Sequence, residues 1–411
     1  AFEEYSCTHG LGYTTFVTTV EGIRATWTLF VPNDLPCEIW MVKVSNLSGS
    51  SRRLSLMPYF EWLLGVFPDW HREFHKLFLR SSFDADQKAL LVDSTLWTAP
   101  LPGDAGWNKD WPFRAFFLSG IAPSSFTFDK EEFFGTYGNW NDAKAFTAPA
   151  FSNRSGTGFD QVAAERFDFT LASGEEKTIN FSLGISERQA FPAELAKCRE
   201  AIANPNPVLA AVKEHWLELC GRMTVRTPDP AVNVMLNYWL KYQAIACRIL
   251  GRTAYYQCGG AFGFRDQLQD SQIFLTLDPS RTRDQIIMHA GHQKSDGTVQ
   301  HWWHPISEEG RLTDISDDLL WLPFVLFEYL RETDDLSILD VTAPYLDGGS
   351  GTLLDHCERS IMKVLERMSP RGLALMGEGD WNDGLNGVGV HWKGESIWLS
   401  HFFVGVLHGF A

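Results

Sequence analysis

Polar and apolar residues alternate through the first part of the chain, and a period of two marks half-buried strands. Residues 23–31 place Ile23, Ala25, Trp27 and Leu29 at every second position, and 38–44 follow the same rhythm more loosely. Turn-forming clusters at 32–34 (Pro-Asn-Asp) and 48–51 (Ser-Gly-Ser-Ser) separate these runs. Another strand is expected at 177–184, after the turn signal Ser-Gly-Glu-Glu at 173–176. Many short strands without alternating helices predict an N-terminal β-sandwich over 1–190.

The rhythm changes near Gln189. Residues 192–203 read as a helix, the Asn-Pro-Asn-Pro at 204–207 breaks it, and 208–220 resume it, so 191–226 form a helical linker. Beyond Thr227 the pattern is helical almost throughout. Asp229 is suited to cap a helix that starts at Pro230. Six segments follow, at 231–250, 265–276, 279–293, 317–332, 350–368 and 395–409, separated by polar and aromatic loops. Helices alternating with loaded loops suggest a toroid of helix pairs with its site at one end. If the toroid is an (α/α)6 barrel, 227–411 hold its first half. The chain ends inside an apolar helix without a C-cap, so the barrel is expected to be truncated at its C-terminus.

With 411 residues the chain should divide into two or more domains. Its formal net charge of −16 argues against nucleic-acid and anionic-membrane partners, because phosphate backbones bind cationic surfaces. No apolar run is long enough to span a bilayer and no signal peptide is evident, which makes a cytoplasmic location the default. Seven cysteines are scattered with no Cys-x-x-Cys pair, so buried free thiols are expected instead of a metal site or a disulfide framework.

The chemistry concentrates in the loops of the helical part. Residues 377–384 (Gly-Glu-Gly-Asp-Trp-Asn-Asp-Gly) pack Asp380, Trp381, Asn382 and Asp383 between glycines. An indole offers a flat face for a sugar ring, and a carboxyl group can protonate a glycosidic oxygen. An Asx-rich turn is the bland alternative. Upstream, Arg265, Asp266, Gln269 and Asp270 share the start of a helix, with Asp266 and Asp270 one turn apart. Acceptors and a guanidinium fork in that spacing suit several hydroxyls of one sugar. The bland reading, acids favoured in a first helical turn, explains Asp266 well and Asp270 poorly. His301, Trp302 and Trp303 lie in a Gln-His-Trp-Trp-His-Pro run that fits neither strand nor helix and reads as a sugar-lining loop, with domain packing as the alternative. Asp317 stands in Ser-Asp-Asp-Leu-Leu-Trp, where a helix-capping role and a site role are evenly matched.

Together with His-Gly-Leu-Gly-Tyr-Thr at 9–14, these motifs resemble glycoside hydrolase family 94, the inverting phosphorylases of β-glucosides, over essentially the whole chain. The resemblance implies an N-terminal β-sandwich, a helical linker and an (α/α)6 barrel, commonly in a homodimer. It casts Asp383 as the general acid. Trp381 would line the subsite of the cleaved sugar, and Arg265 with Asp270 would hold that sugar's hydroxyls. No cofactor is implied beyond inorganic phosphate as co-substrate, and the family's phosphate-binding residues would lie past Ala411. The 300–305 and 265–270 motifs look closer to cellobionic acid phosphorylases and to the C-terminal module of cyclic β-1,2-glucan synthases than to plain cellobiose phosphorylases. 1,2-β-oligoglucan phosphorylases are a further alternative.

A hydrolase that inverts needs an acid and a base about 6.5–9.5 Å apart. A phosphorylase needs only the acid, because phosphate is already an anionic nucleophile. Asp383 would protonate the leaving oxygen while phosphate attacks from the opposite face, giving α-D-glucose 1-phosphate. The rivals are hydrolysis on the same scaffold, with Asp380 or Glu378 as base, and a sugar-binding module without turnover.

Overall fold

The computed structural model describes residues 3–65, 75–95, 110–251, 260–305 and 308–411. Cys258, one of the seven cysteines, and Trp107 lie outside them. The chain forms two compact units, Ala1–Leu217 and Glu218–Ala411.

The first unit is a sandwich of antiparallel strands. Its larger sheet contains β1 (Glu4–Gly10), β2 (Tyr13–Val20), β3 (Ile23–Phe30), β4 (Cys37–Asn46), β7 (Leu79–Asp84), β8 (Ala89–Ser94), β9 (Phe113–Ser119) and β12 (Glu176–Glu187). They lie in the order β1-β2-β3-β4-β12-β9-β8-β7. The smaller sheet contains β5 (Arg52–Leu56), β6 (Tyr59–Glu61), β10 (Ser125–Asp129) and β11 (Gln161–Leu171), with β11 paired to the other three. Register places Leu29 opposite Trp40 and Trp40 opposite Phe181, so alternate residues of neighbouring strands share one face. That face packs with Phe128 and Phe167 of the smaller sheet into an aromatic core.

Two helices close this part of the chain, α1 (Phe191–Ala203) and α2 (Pro205–Gly221). The break expected at 204–207 reduces to one residue, since Asn204 ends α1 and Pro205 opens α2. The β1–β2 turn lies flush against α2. Gly12 has a φ of 79°, and a β-carbon there would lie 2.5 Å from Trp216 and 2.6 Å from Val212.

The second unit is helical. Helix α3 (230–250) begins at Pro230 with Asp229 as its cap, as the sequence predicts. It is followed by α4 (Phe264–Ser271), α5 (Pro279–Ala290), α6 (Asp318–Thr333), α7 (Leu353–Glu366) and α8 (Ile397–Phe410). Helix α6 is the pivot of the core: residues from Leu319 to Leu322, with Val325, Leu326 and Tyr329, are buried on several faces. The start of α7 is fixed by a capping box between Thr352 and Asp355.

The thiols follow expectation only in part. Cys37, Cys198, Cys220 and Cys357 are buried and free, whereas Cys7 and Cys247 are free and exposed. No helix of the described residues is long and apolar enough to cross a membrane.

Candidate active site

A small antiparallel sheet organises the site. Strand β13 (Phe262–Gly263) leads directly into α4 and pairs with β14 (Gln300–Trp303), which pairs in turn with β15 (Gly310–Leu312). Residues 300–303 of the 300–305 run therefore form a central strand, against the expectation of an irregular loop. Its pattern misleads because the strand is short and both flanking residues, Gln300 and Trp303, are buried. The pairing sets the first turn of α4 beside β14, which brings Arg265 and His301 into one neighbourhood.

The loop carrying the second motif is pinned to the start of α6. Ser316 donates to the Gly379 carbonyl through its amide (2.9 Å) and its hydroxyl (3.0 Å). Gly377 adopts a φ of 62°, and a β-carbon there would lie 2.1 Å from the Asp314 carbonyl oxygen, so only glycine permits this close crossing.

Arg265 joins these pieces. Its side chain is buried, and Nη1 donates to the Asp317 carboxylate at 3.1 Å and to the Asp380 carbonyl at 3.2 Å. Nη2 donates to both oxygens of Asp383, at 2.9 and 3.0 Å. Asp383 is half exposed, so one guanidinium ties a reachable carboxylate to a wholly buried one. Asp317 also accepts from the Trp321 indole N–H at 3.0 Å. Burial, reinforced by the neighbouring Asp318 charge and opposed by Arg265, pushes Asp317 up to about 7.

Both bland and functional readings of Asp317 need correction. It makes no side-chain cap to α6 and is fully buried, so it touches no substrate and instead positions Arg265. Trp303 is likewise corrected. It is 1% exposed, stacked on His292 at 3.7 Å between ring centres, with Phe262 and His289 at its edges, so no sugar reaches it. Trp302 and His301 are half-buried.

The other predicted residues divide. Trp381 is 51% exposed and its indole N–H donates to Gln269 at 3.4 Å, leaving a flat aromatic surface open beside α4. Asp270 accepts from Arg248 Nε at 2.7 Å. Asp266 folds back beside Gly263, where a β-carbon would lie 2.6 Å from its carboxylate. Asn382 accepts from the Gly384 amide and caps the turn that presents Asp383. Asp380 is buried, accepting from the Ser396 hydroxyl at 2.6 Å and the Asn382 amide at 3.0 Å.

Residues that the sequence reading did not select complete the cluster. Asp318, wholly buried, accepts from His301 Nδ1 at 2.7 Å. Burial pushes this carboxyl up, against the pull of His301 and Arg265. Ser396 and Arg248 anchor Asp380 and Asp270 from 16 and 22 positions away. Their signal was the second Asp of Asp317-Asp318 and the capping Ser of α8. Neither reveals its partner without the fold.

Residues 1–201 match the glycosyl hydrolase 94 supersandwich domain, and 215–411 match the catalytic domain of the glycosyl hydrolase 94 superfamily. The chain is 34% identical to the cyclic beta-(1,2)-glucan synthase NdvB of Rhizobium meliloti over 98% of its length, covering 14% of that protein. It is 29% identical to the solabiose phosphorylase of Paenibacillus borealis (97% of this chain, 49% of that one). With the cellobionic acid phosphorylase of Neurospora crassa the identity is 26% (92% and 46%). The chain thus spans about half the length of these phosphorylases. Its fold is similar to that of a bacterial glucoamylase solved with acarbose, at a TM-score of 0.54 and 10% identity, over 90% of this chain and 50% of that one. A β-sandwich followed by a helical domain of the (α/α)6 type, matched over 1–201 and 215–411 by the two domain models, makes this chain a member of the glycosyl hydrolase 94 superfamily.

Proposed function

We propose that the complete protein carries out inverting phosphorolysis of a β-glucoside of the cellobionic acid or cellobiose type, releasing α-D-glucose 1-phosphate. The observation that carries this reading is the unequal standing of the three acids in the 377–384 loop. Asp383 is half exposed beside the open face of Trp381, whereas Asp380 is buried under Ser396 and Glu378 accepts from the Asp314 amide at 2.9 Å. One reachable acid suits a reaction whose nucleophile is already an anion. Hydrolysis would require a second carboxylate available to activate water, and both candidates are committed to holding the loop. Arg265 keeps the Asp383 carboxyl aligned until the glycosidic oxygen arrives, and Trp381 receives the sugar ring. Phosphate serves as co-substrate without a further cofactor, consistent with a cytoplasmic enzyme, and the acceptor side is completed in a homodimer.

A second reading is favoured by the 34% identity to the glucan synthase, namely action on a β-1,2-linked glucan. One assay separates the two. The complete protein is incubated with phosphate and cellobionic acid, cellobiose or β-1,2-glucooligosaccharides, and α-glucose 1-phosphate is measured. Formation with one substrate, reduced about 10²–10⁴-fold by Asp383→Asn, is the expected outcome. Free glucose released without phosphate would replace this reading with hydrolysis.

A further inference from the structure

Three carboxylates and two cationic side chains meet at this site, and one pair among them has no part in holding the loops. Asp318 is 1% exposed and has a single hydrogen-bond partner among the described residues, His301 Nδ1 at 2.7 Å, while its other oxygen is buried without one. A buried carboxylate on Nδ1 fixes the ring's orientation and its tautomer, so that Nε2 is the atom left to act. Among the described residues no partner is recorded for His301 Nε2, and the side chain keeps 20% of its exposure. The charges acting on the ring come from three elements: Asp318 on α6, Asp383 on the loop and Arg265 on α4.

On the phosphorolysis reading, on which this rests, we infer that His301 is a hydrogen-bond donor to the bound glucoside, with Asp318 as its positioning residue. The ring is tied through Nδ1 to a wholly buried carboxyl, and it feels the charges of both Asp383 and Arg265. Burial alone would make the ring less basic, yet the Asp318 hydrogen bond and the Asp318 and Asp383 charges outweigh it and raise His301 above its ordinary value. The doubly protonated ring, which donates from Nε2, therefore persists to higher pH than in a free histidine. Above that range Nε2 is an acceptor, so a sugar hydroxyl must turn to donate to it, and the charge-assisted bond gives way to a weaker neutral one.

The test uses the complete protein labelled with ¹⁵N-histidine. In the absence of sugar the His301 titration midpoint should lie above that of free imidazole and fall in Asp318→Asn. Adding α-D-glucose 1-phosphate should displace the His301 Nε2 resonance saturably. In turnover, the wild-type KM for the glucoside should rise as pH climbs through the His301 midpoint, and the rise should begin at lower pH in Asp318→Asn. His301→Gln keeps a donor without titrating, so its KM should be flat with pH and roughly tenfold higher, with kcat less affected. An unchanged His301 midpoint in Asp318→Asn, or a KM profile in His301→Gln that tracks the wild type, overturns the inference while phosphorolysis stands. Absence of α-glucose 1-phosphate from every glucoside tested overturns the phosphorolysis reading and the inference with it. Should Asp318→Asn fail to fold, the His301→Gln profile and the wild-type resonance still decide.

Discussion

Two tryptophans of similar sequence context end in opposite environments. Trp303 fills the core of the helical unit, where His292 covers its face. Trp381 stands half in solvent with one hydrogen bond to Gln269. Removing the first leaves a cavity, so Trp303→Ala should cost about 3–5 kcal/mol in denaturant unfolding. Removing the second opens no cavity in the core, and Trp381→Ala should change stability by no more than about 0.5 kcal/mol. Its effect belongs to binding, as a raised KM for the glucoside. A large loss of stability in Trp381→Ala would show that the indole is structural. The sequence named both residues as sugar contacts because composition and spacing carry no record of which strand pairs with which. Asp318 was passed over for the same reason: its partner, His301, is 17 positions away.

At the scale of elements, the strands and helices were largely legible because burial imposes its period on the residues. β3, β4 and β12, the cap at Asp229 and the six longer helices among the described residues of 227–411 fall close to where alternation and helical spacing place them. β14 was not legible, since four residues are too few to set a period and their neighbours β13 and β15 are shorter still. Glu165 in β11 breaks the pattern in another way. It is wholly buried between the sheets, with the Ser119 hydroxyl donating to one oxygen and the other unpartnered. Burial pushes its carboxyl up to about 8, against the smaller opposing effect of Ser119. In the unfolded chain the same group titrates near about 4.3. Between these limits the folded state holds a proton that the unfolded state lacks. The contribution of Glu165 to stability is therefore greatest below the lower value and falls as pH rises toward about 8, by up to about 1.4 kcal/mol per pH unit. Glu165→Gln should flatten this slope and be more stable than the wild type in mildly alkaline buffer, as read by urea titrations from pH 5 to 9. Identical slopes in both proteins would show that Glu165 is accommodated as an anion.

At the scale of the whole molecule, each unit has its own core: the aromatic layer between the two sheets, and the apolar cluster around α6. Separate cores need not melt together. Scanning calorimetry of the chain should resolve two transitions, with Glu165→Gln at alkaline pH raising one and Trp303→Ala lowering the other. A single transition moved by both substitutions would mean that the units unfold as one. The site itself belongs to the helical unit. Its motifs were legible as a set, through a family likeness that the domain matches bear out. The division of labour within the set, with Arg265 as hub and Asp317 and Ser396 as supports, follows from contacts only the folded chain contains.

The open face of Trp381 has one more consequence. An indole half in water is sheathed by solvent whenever the site stands empty, and a sugar ring that settles on it must strip that layer away. Shedding water from apolar surface lowers the heat capacity of the system. On the proposed function, substrate capture at this surface should grow more exothermic with warming, so the balance between its heat and its entropy is set by temperature as much as by the sugar.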